Sequence, residues 1–363
     1  MKLIIQNKEL KKALKRLGTV VPKKAVLSAL EYIRITAKGN TMVLSCTDLD
    51  LTIHYELLLI ENATKEDTAL VNFNWLKGIC DLHGEEIVQL ETLKTKTHIE
   101  TSAGKFTQEV GVKLSEYPNL PEIPSTDPIP KLETIIPTLQ RSAMILVAED
   151  VRQWPCYSLV ELQNRLISIT STDANSLFNC VLDYDYSGSD KNILISQRMI
   201  KALSGLTDSS FRFNENLYSF TSGEVTVIAK IPDVKFPNYK GVIPARENYM
   251  HVLLNRVELI EVLQKVAFTN SETVDLQVKE NEVLFHSEHD NGAKSEIRLN
   301  TKAPFTGTLD FERIKLNPSK LITLLEQVEF ENVHIGLFAP TKAIVITEPD
   351  NTNHTSLLMP LVA

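Results

Sequence analysis

One pattern of elements recurs three times along the chain, at intervals of roughly 120 residues. Each copy opens with a short apolar strand that runs into an amphipathic helix. The three openings lie at residues 2–17, 131–146 and 251–266. In the first copy, Leu10, Ala13, Leu14 and Leu17 have the spacing of one buried helical face. Because solenoid repeats are only about 20 to 50 residues long, this period predicts three similar globular units.

Two further features repeat within each copy. An apolar strand ends in a polar turn with an acidic residue at Thr47-Asp48 and at Thr172-Asp173, and more weakly at Asp290. A second helix follows later in each copy, at residues 74–82, 197–206 and 318–328. The remaining segments alternate apolar and polar residues with short turns between them, which is typical of antiparallel strands.

Proline-rich joints separate the copies. They lie at 122–131 and 244–249, where proline's missing N–H and fixed φ interrupt regular pairing. We therefore predict domains at 1–124, 125–246 and 247–363. Two helices on an antiparallel sheet, repeated three times, make an α+β fold.

The charge is distributed unevenly. The chain of 363 residues has a formal net charge of −8, yet the segment from Lys8 to Lys24 contains seven cations and only one anion, Glu9. This contrast predicts one surface that attracts a polyanion, although a solvated helix face would have the same composition.

Compartment and chemistry are constrained by what the sequence lacks. No apolar run approaches the ~20 residues that span a bilayer, so a cytoplasmic protein is predicted. The cysteines are scattered and read as buried reduced thiols, and the histidines do not suggest a metal site. Nucleotide-binding and hydrolase motifs are missing. Asp48 and Asp173 could be drawn as the carboxylates of a hydrolase, but their equivalent turns favour a turn-forming role.

The order of short motifs resembles a known family. MKLIIQ, TDLDL, EYPNLP, AEDVR, STD, KFPNYKGVIP and LLMPL follow one another along the whole chain. The chain resembles the β subunit of bacterial DNA polymerase III, the sliding clamp. The resemblance implies three domains per crescent and a head-to-tail homodimeric ring, with sheets outside and helices inside. It also implies a role without catalysis or cofactor, and as partners duplex DNA of any sequence, the replicative polymerase, the clamp loader and other proteins with apolar clamp-binding peptides.

The resemblance implies three sets of site residues. Cations that contact DNA would be Lys24, Arg152 and Arg198, with Lys12, Lys15 and Arg16 added from helix position and charge. The dimer interface would include Asn74, Leu76, Lys105 and Phe268. The partner pocket would be formed by Thr172, Leu177, Pro237, Val242, Asn317, Ile344, Leu358, Met359, Pro360 and Leu361.

Several positions depart from the family's pattern. Ala174, Asn175 and Ser176 replace a Gly-His-Arg sequence, Gly241 replaces an arginine, and Val362-Ala363 replaces a basic terminus. These differences predict a pocket with an altered polar rim. They also motivate an alternative function, that of a clamp-derived interaction protein with a changed pocket or ring closure.

Overall fold

The computed structural model describes residues 1–361 with several gaps. The gaps are residues 64, 85, 126–128, 130–134, 164, 185–187, 189, 208, 245–248, 269–271, 290, 291, 306–308, 310 and 350–352. Parts of both predicted joints, the acidic residue Asp290 and the terminal Val362-Ala363 therefore lie outside the described residues. No helix in the described part is long and apolar enough to cross a membrane.

The first copy contains eight strands and two helices among the described residues. They are β1 (Lys2–Gln6), α1 (Asn7–Leu17), β2 (Tyr32–Lys38), β3 (Thr41–Thr47), β4 (Leu51–Leu58), β5 (Asp67–Asn72), α2 (Phe73–Leu82), β6 (Ile87–Thr92), β7 (Lys96–Thr101) and β8 (Gly104–Glu109).

The other two copies repeat this order. The second contains α3 (Ile135–Ser142), β9 (Tyr157–Gln163), β10 (Leu166–Thr172), β11 (Ser176–Asp183), β12 (Lys191–Ser196), α4 (Gln197–Ala202), β13 (Ser210–Phe213), β14 (Leu217–Ser222) and β15 (Val225–Lys230). The third contains β16 (Met250–Asn255), α5 (Arg256–Ala267), β17 (Val274–Val278), β18 (Glu282–Glu288), β19 (Lys294–Asn300), β20 (Ile314–Leu316), α6 (Pro318–Glu326), β21 (Asn332–Leu337), β22 (Ile344–Thr347) and β23 (His354–Leu358).

Each copy is a doubled motif of one strand, one helix and three strands. In the second copy the opening strand is represented, among the described residues, by an antiparallel bridge between Ile129 and Phe211. Every pairing within the sheets is antiparallel in the described part. The predicted α+β class and the threefold repeat are confirmed.

The chain forms two compact units. One contains Met1–Ile136 and Arg198–Pro232, and its seven-stranded sheet joins the copies through β15 on β4. The other contains Pro137–Gln197 and Asp233–Ala363, and its eight-stranded sheet joins the copies through β11 on β23. The second copy contributes strands to both of these sheets, so the division into two units does not test the three predicted domain boundaries, which remain a prediction.

The helices bury one apolar face each, as their spacing predicts. Leu10, Ala13, Leu14 and Leu17 of α1 are all buried. The equivalent residues of α5 are Leu259, Val262, Leu263 and Val266, which are buried too. Asparagines cap three helices by accepting a hydrogen bond from a backbone N–H of the first turn. They are Asn72 before α2, Asn255 before α5 and Asn317 before α6.

Three of the four cysteines are buried. These are Cys46, Cys80 and Cys180, and burial raises the pKa of each thiol. Cys156 is only partly buried, so the prediction that all four are buried was wrong for this residue, which follows the exposed loop at 149–153.

The side chain of Asn7, at the start of α1, forms hydrogen bonds to backbone carbonyls at the end of α2. The Asn7 Nδ2 donates to the carbonyl oxygens of Cys80 at 3.1 Å, His83 at 3.1 Å and Gly84 at 2.7 Å. In the third copy, Arg256 has the same place and donates from Nε to the Phe330 carbonyl at 2.8 Å. Both residues satisfy carbonyl groups that a helix end leaves without partners.

Replacement of Asn7 by leucine should therefore destabilise the first unit. Asn7 is fully buried, and Asn7→Leu removes its hydrogen bonds to three backbone carbonyls, so we expect the free energy of unfolding to fall by about 2 kcal/mol. Urea unfolding followed by circular dichroism measures the change. Asn216→Leu, in an exposed turn of the same unit, is the control and should change stability by less than about 0.5 kcal/mol. Equal effects of the two changes would contradict this role of the Asn7 side chain.

Candidate functional sites

The acidic turns are held by their own carboxylates. The Asp48 Oδ1 accepts from the backbone N–H groups two and three residues later, at 2.9 and 2.8 Å. The Asp173 Oδ1 does the same at 2.9 and 2.6 Å. This is the self-bonding geometry of an aspartate turn, which confirms the turn-forming prediction.

The second oxygen of each carboxylate binds a cation on the second helix of the following copy. Asp48 pairs with Arg198 of α4, and Asp173 pairs with Lys320 of α6 at 2.7 Å. The Asp48 side chain is only 6% exposed. Both oxygens of each carboxylate therefore already have hydrogen-bond or ion-pair partners. The hydrolase hypothesis needed these two carboxylates for catalysis, and the structure uses them to hold the turns.

Five of the six cations predicted to contact DNA are exposed, and they are Lys12, Lys15, Lys24, Arg152 and Arg198. Lys24 lies in the loop after α1, and Lys12 and Lys15 lie on the solvent face of α1. Lys12 pairs with Glu9 at 2.8 Å, and no carboxylate among the described residues pairs with Lys15 or Lys24. Lys15 and Lys24 therefore keep their full charge for an incoming anion.

Arg152 has a fixed orientation. Its Nε and Nη2 donate to the two oxygens of Asp150 at 2.9 and 2.7 Å, and its guanidinium lies 4.9 Å from the Trp154 ring centre. These hydrogen bonds lower the pKa of Asp150 to about 2. Stacking and a bidentate pair hold the guanidinium in one place at the surface, although Asp150 neutralises part of its charge.

Arg16 acts within the protein. Its Nη1 donates to the carbonyl oxygens of Ala202 at 2.8 Å and Ser204 at 2.6 Å, at the end of α4. Burial lowers the pKa of this guanidinium. The side chain therefore bridges two helices of the first unit, a role that charge patterning alone did not indicate.

Several of the residues predicted to form the partner pocket lie where β11, β23 and β22 pair in the second unit. Leu177, Tyr239 and Leu357 belong to one buried apolar cluster, on which Phe236 and Ile243 pack. The Tyr239 hydroxyl and the Lys240 ammonium both bind the buried carboxylate of Glu161, which fixes the segment that follows Pro237. Three apolar side chains of this region are exposed. They are Val242 at 58%, Met359 at 41% and Leu361 at 40%.

Other predicted pocket residues support this surface from behind. Ile344 and Leu358 lie in the core at no more than 1% exposure, and Pro360 is also buried. Asn317 caps α6. The Thr172 hydroxyl donates to the Ser176 carbonyl inside the acidic turn.

The rim departures have structural consequences. Ala174 has a φ of +82°, in the left-handed region that glycine prefers, so the turn keeps its shape with alanine at some cost in strain. A Cβ on Gly241 would meet no atom within 4 Å. The rim at this position is open, with no side chain in place of the family's arginine.

The residues predicted for the dimer interface differ in exposure. Phe268 is 89% exposed just after α5, Asn74 is exposed on α2 and Lys105 is exposed on β8. Leu76 is fully buried, because it lies on the inner face of α2, and it offers no surface for a partner. Leu82, which ends α2 and was not among the residues predicted for the interface, is 82% exposed.

Among the strands that end sheets in the described part, β8 and β19 are by the repeat the counterparts of the strands that join one copy to the next. β8 pairs only with β7 and ends its sheet, and β19 pairs only with β18 and ends another. Such edges present rows of N–H and C=O groups that can pair with another chain. Within the described residues, no three His, Cys, Asp or Glu side chains are grouped to hold a metal ion.

Comparison with known proteins identifies the family. The model of the DNA polymerase III beta subunit N-terminal domain matches residues 1–121, and that of its C-terminal domain matches residues 240–362. The beta sliding clamp of Pseudomonas aeruginosa is 22% identical over 370 residues, covering 99% of this chain and 100% of the relative.

Solved structures show the same fold over the full length. The DNA polymerase sliding clamp from Bacillus subtilis superposes with a TM-score of 0.92 at 17% identity, covering 100% of this chain and 99% of that one. The Pseudomonas aeruginosa clamp bound to griselimycin gives a TM-score of 0.91 at 20% identity, with 100% coverage of both chains. The two family models together match well over half of the chain, which therefore belongs to the DNA polymerase III beta subunit family.

Proposed function

We propose that this protein is a DNA sliding clamp, a non-catalytic cytoplasmic subunit that closes into a head-to-tail homodimeric ring around duplex DNA. In this ring the helices line the hole and the sheets face outward. The clamp would recruit the replicative polymerase, the clamp loader and other partners through a peptide-binding pocket. Full-length similarity to sliding clamps gives the alternative of a clamp-derived interaction protein no support.

The observation that carries the proposal is a repeated junction between copies. Val225 of β15 lies opposite Tyr55 of β4, and His354 of β23 lies opposite Cys180 of β11. These residue pairs occupy equivalent positions in their copies, so both junctions have the same register. A third junction of this kind needs the two open edges, β8 and β19.

Because, among the described residues, β8 and β19 each pair with only one strand of their own chain, β8 of one protomer can pair with β19 of its partner. If β8 and β19 pair in the same register as these two junctions, Gly104 of one protomer lies opposite Ile297 of the other, and Lys105 lies opposite Glu296. The lysine and the glutamate then form a cross-strand pair of opposite charge, which stabilises an antiparallel pair. Two such junctions close a ring of two chains, because a heterologous contact either closes or continues into a filament.

The ends of the helices support the same interface. By the repeat, Phe268 is equivalent to Thr19 and Leu82 is equivalent to Leu206, and Thr19 and Leu206 line one groove in the first unit. Phe268 and Leu82 would therefore meet between protomers. Burial of two large exposed apolar side chains favours association.

Binding to DNA would rest on cations without base recognition. Lys24 and Arg152, together with Arg198, Lys12 and Lys15, would contact phosphates, which carry no sequence information. Arg198 and Arg152 are held by carboxylates, so Lys24 and Lys15 are expected to contribute more. The net negative charge of the whole chain keeps other surfaces away from DNA.

Retention on DNA tests the proposal. The Lys24→Ala/Arg152→Ala double variant, loaded on a nicked circle, should dissociate faster than the wild type. Its dependence on log[salt] should be shallower by roughly 0.9 for each phosphate that the variant no longer neutralises. Lys38→Ala/Lys65→Ala removes two other exposed cations of the first unit, one at the end of β2 and one in the loop before β5, and is the control. Unchanged retention of the first variant at every salt concentration would show that these cations do not face the DNA.

A further inference from the structure

A basic groove lies in the first unit, apart from the turns, the partner pocket and the strand edges. It opens between the second half of α1, the loop after α4 and the hairpin of β14 and β15. Its volume is about 860 Å³. Four cations line it: Lys12, Lys15 and Arg16 from α1, and Lys201 from α4. Among the lining residues the carboxylate is Glu224, so the groove is electropositive.

One positive charge at the groove is fixed in position. Arg16 is held by two carbonyl oxygens at the end of α4, so its guanidinium cannot turn away. Lys12, Lys15 and Arg16 follow the i, i+3, i+4 spacing that places side chains on one helical face. Cations in a row along α1 match a ligand with several anionic groups in a line, since three residues advance ~4.5 Å along a helix.

The opposite wall supplies hydrogen-bonding groups. Ser204, Thr207 and Ser222 lie along it, and the Ser222 hydroxyl donates to the Thr207 carbonyl, which joins the loop to the hairpin. Gly205 has a φ of +73°, which turns the backbone sharply at the edge of the groove. Hydroxyl and backbone N–H groups beside cations are the groups that commonly contact phosphate oxygens.

An aromatic ring completes the lining. Tyr55 of β4 is half-buried, and burial, followed by the carboxylates of Glu224 and Glu9, raises the pKa of its hydroxyl. Its ring offers a flat face on which a nucleic-acid base can stack.

We infer that this groove binds the phosphate backbone of a single strand of nucleic acid, with one base on the Tyr55 ring. The inference rests on the proposed function, which brings DNA to this protein. A line of cations with an aromatic side chain is the arrangement by which single strands are held without sequence preference. The open groove also differs from the enclosed pockets that bury a single small ligand.

Direct binding to an oligonucleotide tests the inference. The full-length protein is titrated against a fluorescein-labelled oligothymidylate of twelve nucleotides, and anisotropy is read at several salt concentrations. Lys15→Glu/Lys201→Glu should weaken binding at least tenfold. It should also reduce the slope against log[salt] by about 1.4, at roughly 0.7 for each single-strand phosphate contact. Tyr55→Leu should weaken binding about fivefold or more with the slope unchanged, because it removes the stacking ring without changing the charge.

Two controls distinguish binding in this groove from nonspecific electrostatic attraction and from retention of the ring on duplex DNA. Lys38→Glu/Lys65→Glu makes the same change in charge elsewhere in the unit and should leave oligonucleotide binding near the wild-type value. Thermal unfolding of each variant checks that it folds, and Lys15→Gln/Lys201→Gln is used if the glutamates unfold it. Unchanged affinity of the groove variant, or equal decreases in groove and control variants, would overturn the inference. Duplex retention of the Lys24→Ala/Arg152→Ala variant is read separately, so failure of the ring proposal remains distinguishable.

Discussion

Phe268→Asp is expected to convert the dimer into monomers and to abolish retention on circular DNA. Burial of a phenylalanine side chain contributes about 1.5–3 kcal/mol, and a head-to-tail ring of two chains buries this side chain twice. Removal of both phenylalanines, at about 3–6 kcal/mol, raises the dissociation constant by roughly 10²- to 10⁴-fold. A carboxylate placed in an apolar interface adds a desolvation cost to this effect.

Sedimentation velocity at micromolar concentration measures the change. Leu58→Asp, at an exposed apolar side chain of β4 that pairs with β3, is the control and should remain dimeric. Because Phe268 is almost fully exposed in the single chain, the variant should keep the wild-type fold, which its circular dichroism spectrum checks. A Phe268→Asp protein that stays dimeric would place the interface elsewhere.

The same interface can be examined for its register. If β8 and β19 pair as the other junctions do, Lys105→Glu and Glu296→Lys should each weaken the dimer by about 0.4–2 kcal/mol, because like charges then lie opposite each other at both junctions. The double variant should regain wild-type affinity. Independent, additive decreases in the double variant would mean that the two residues do not face each other.

The sequence pattern predicted the buried faces of the helices better than it predicted where each helix ends. The faces of α1 and α5 follow from apolar spacing, and the four buried apolar residues of one helix correspond to the four of the other. The helix expected at 197–206 is shorter and ends at Ala202, because Gly205 turns the chain with a positive φ. Periodicity detects a buried face over several turns, whereas one backbone torsion ends a helix.

The site residues were harder to predict, because their roles depend on partners distant in sequence. Arg198 was predicted as a DNA contact, yet its partner Asp48 lies 150 positions earlier in the chain. Arg16 read as a surface cation but bonds carbonyl groups 186 and 188 positions later. Leu76 was assigned to an interface from the resemblance and lies in the core. The charge and spacing of a segment do not indicate which distant residues the fold places next to its side chains.

Met359→Asp/Leu361→Asp is expected to remove binding of partner peptides. The two side chains flank the end of β23 and are each about two-fifths exposed, which leaves apolar surface for the anchors of an extended peptide. Replacement of two apolar side chains by carboxylates should weaken binding at least ~100-fold. The Met359 N–H donates to the Asn175 carbonyl and the Leu361 N–H to the Lys315 carbonyl, so the backbone should keep its path in the variant.

Fluorescence polarisation with a labelled clamp-binding peptide of the replicative polymerase measures this affinity. Val257→Asp, at a half-exposed apolar side chain on α5 of the same unit, is the control and should bind as the wild type does. Gly241→Arg adds a cation to the open rim, where a Cβ meets no neighbour, and should fold normally while favouring peptides with an acidic flank. If the double aspartate variant bound the peptide with wild-type affinity, the exposed apolar residues at the end of β23 would not belong to the pocket. If Gly241→Arg left the preference for acidic flanks unchanged, position 241 would lie outside the rim.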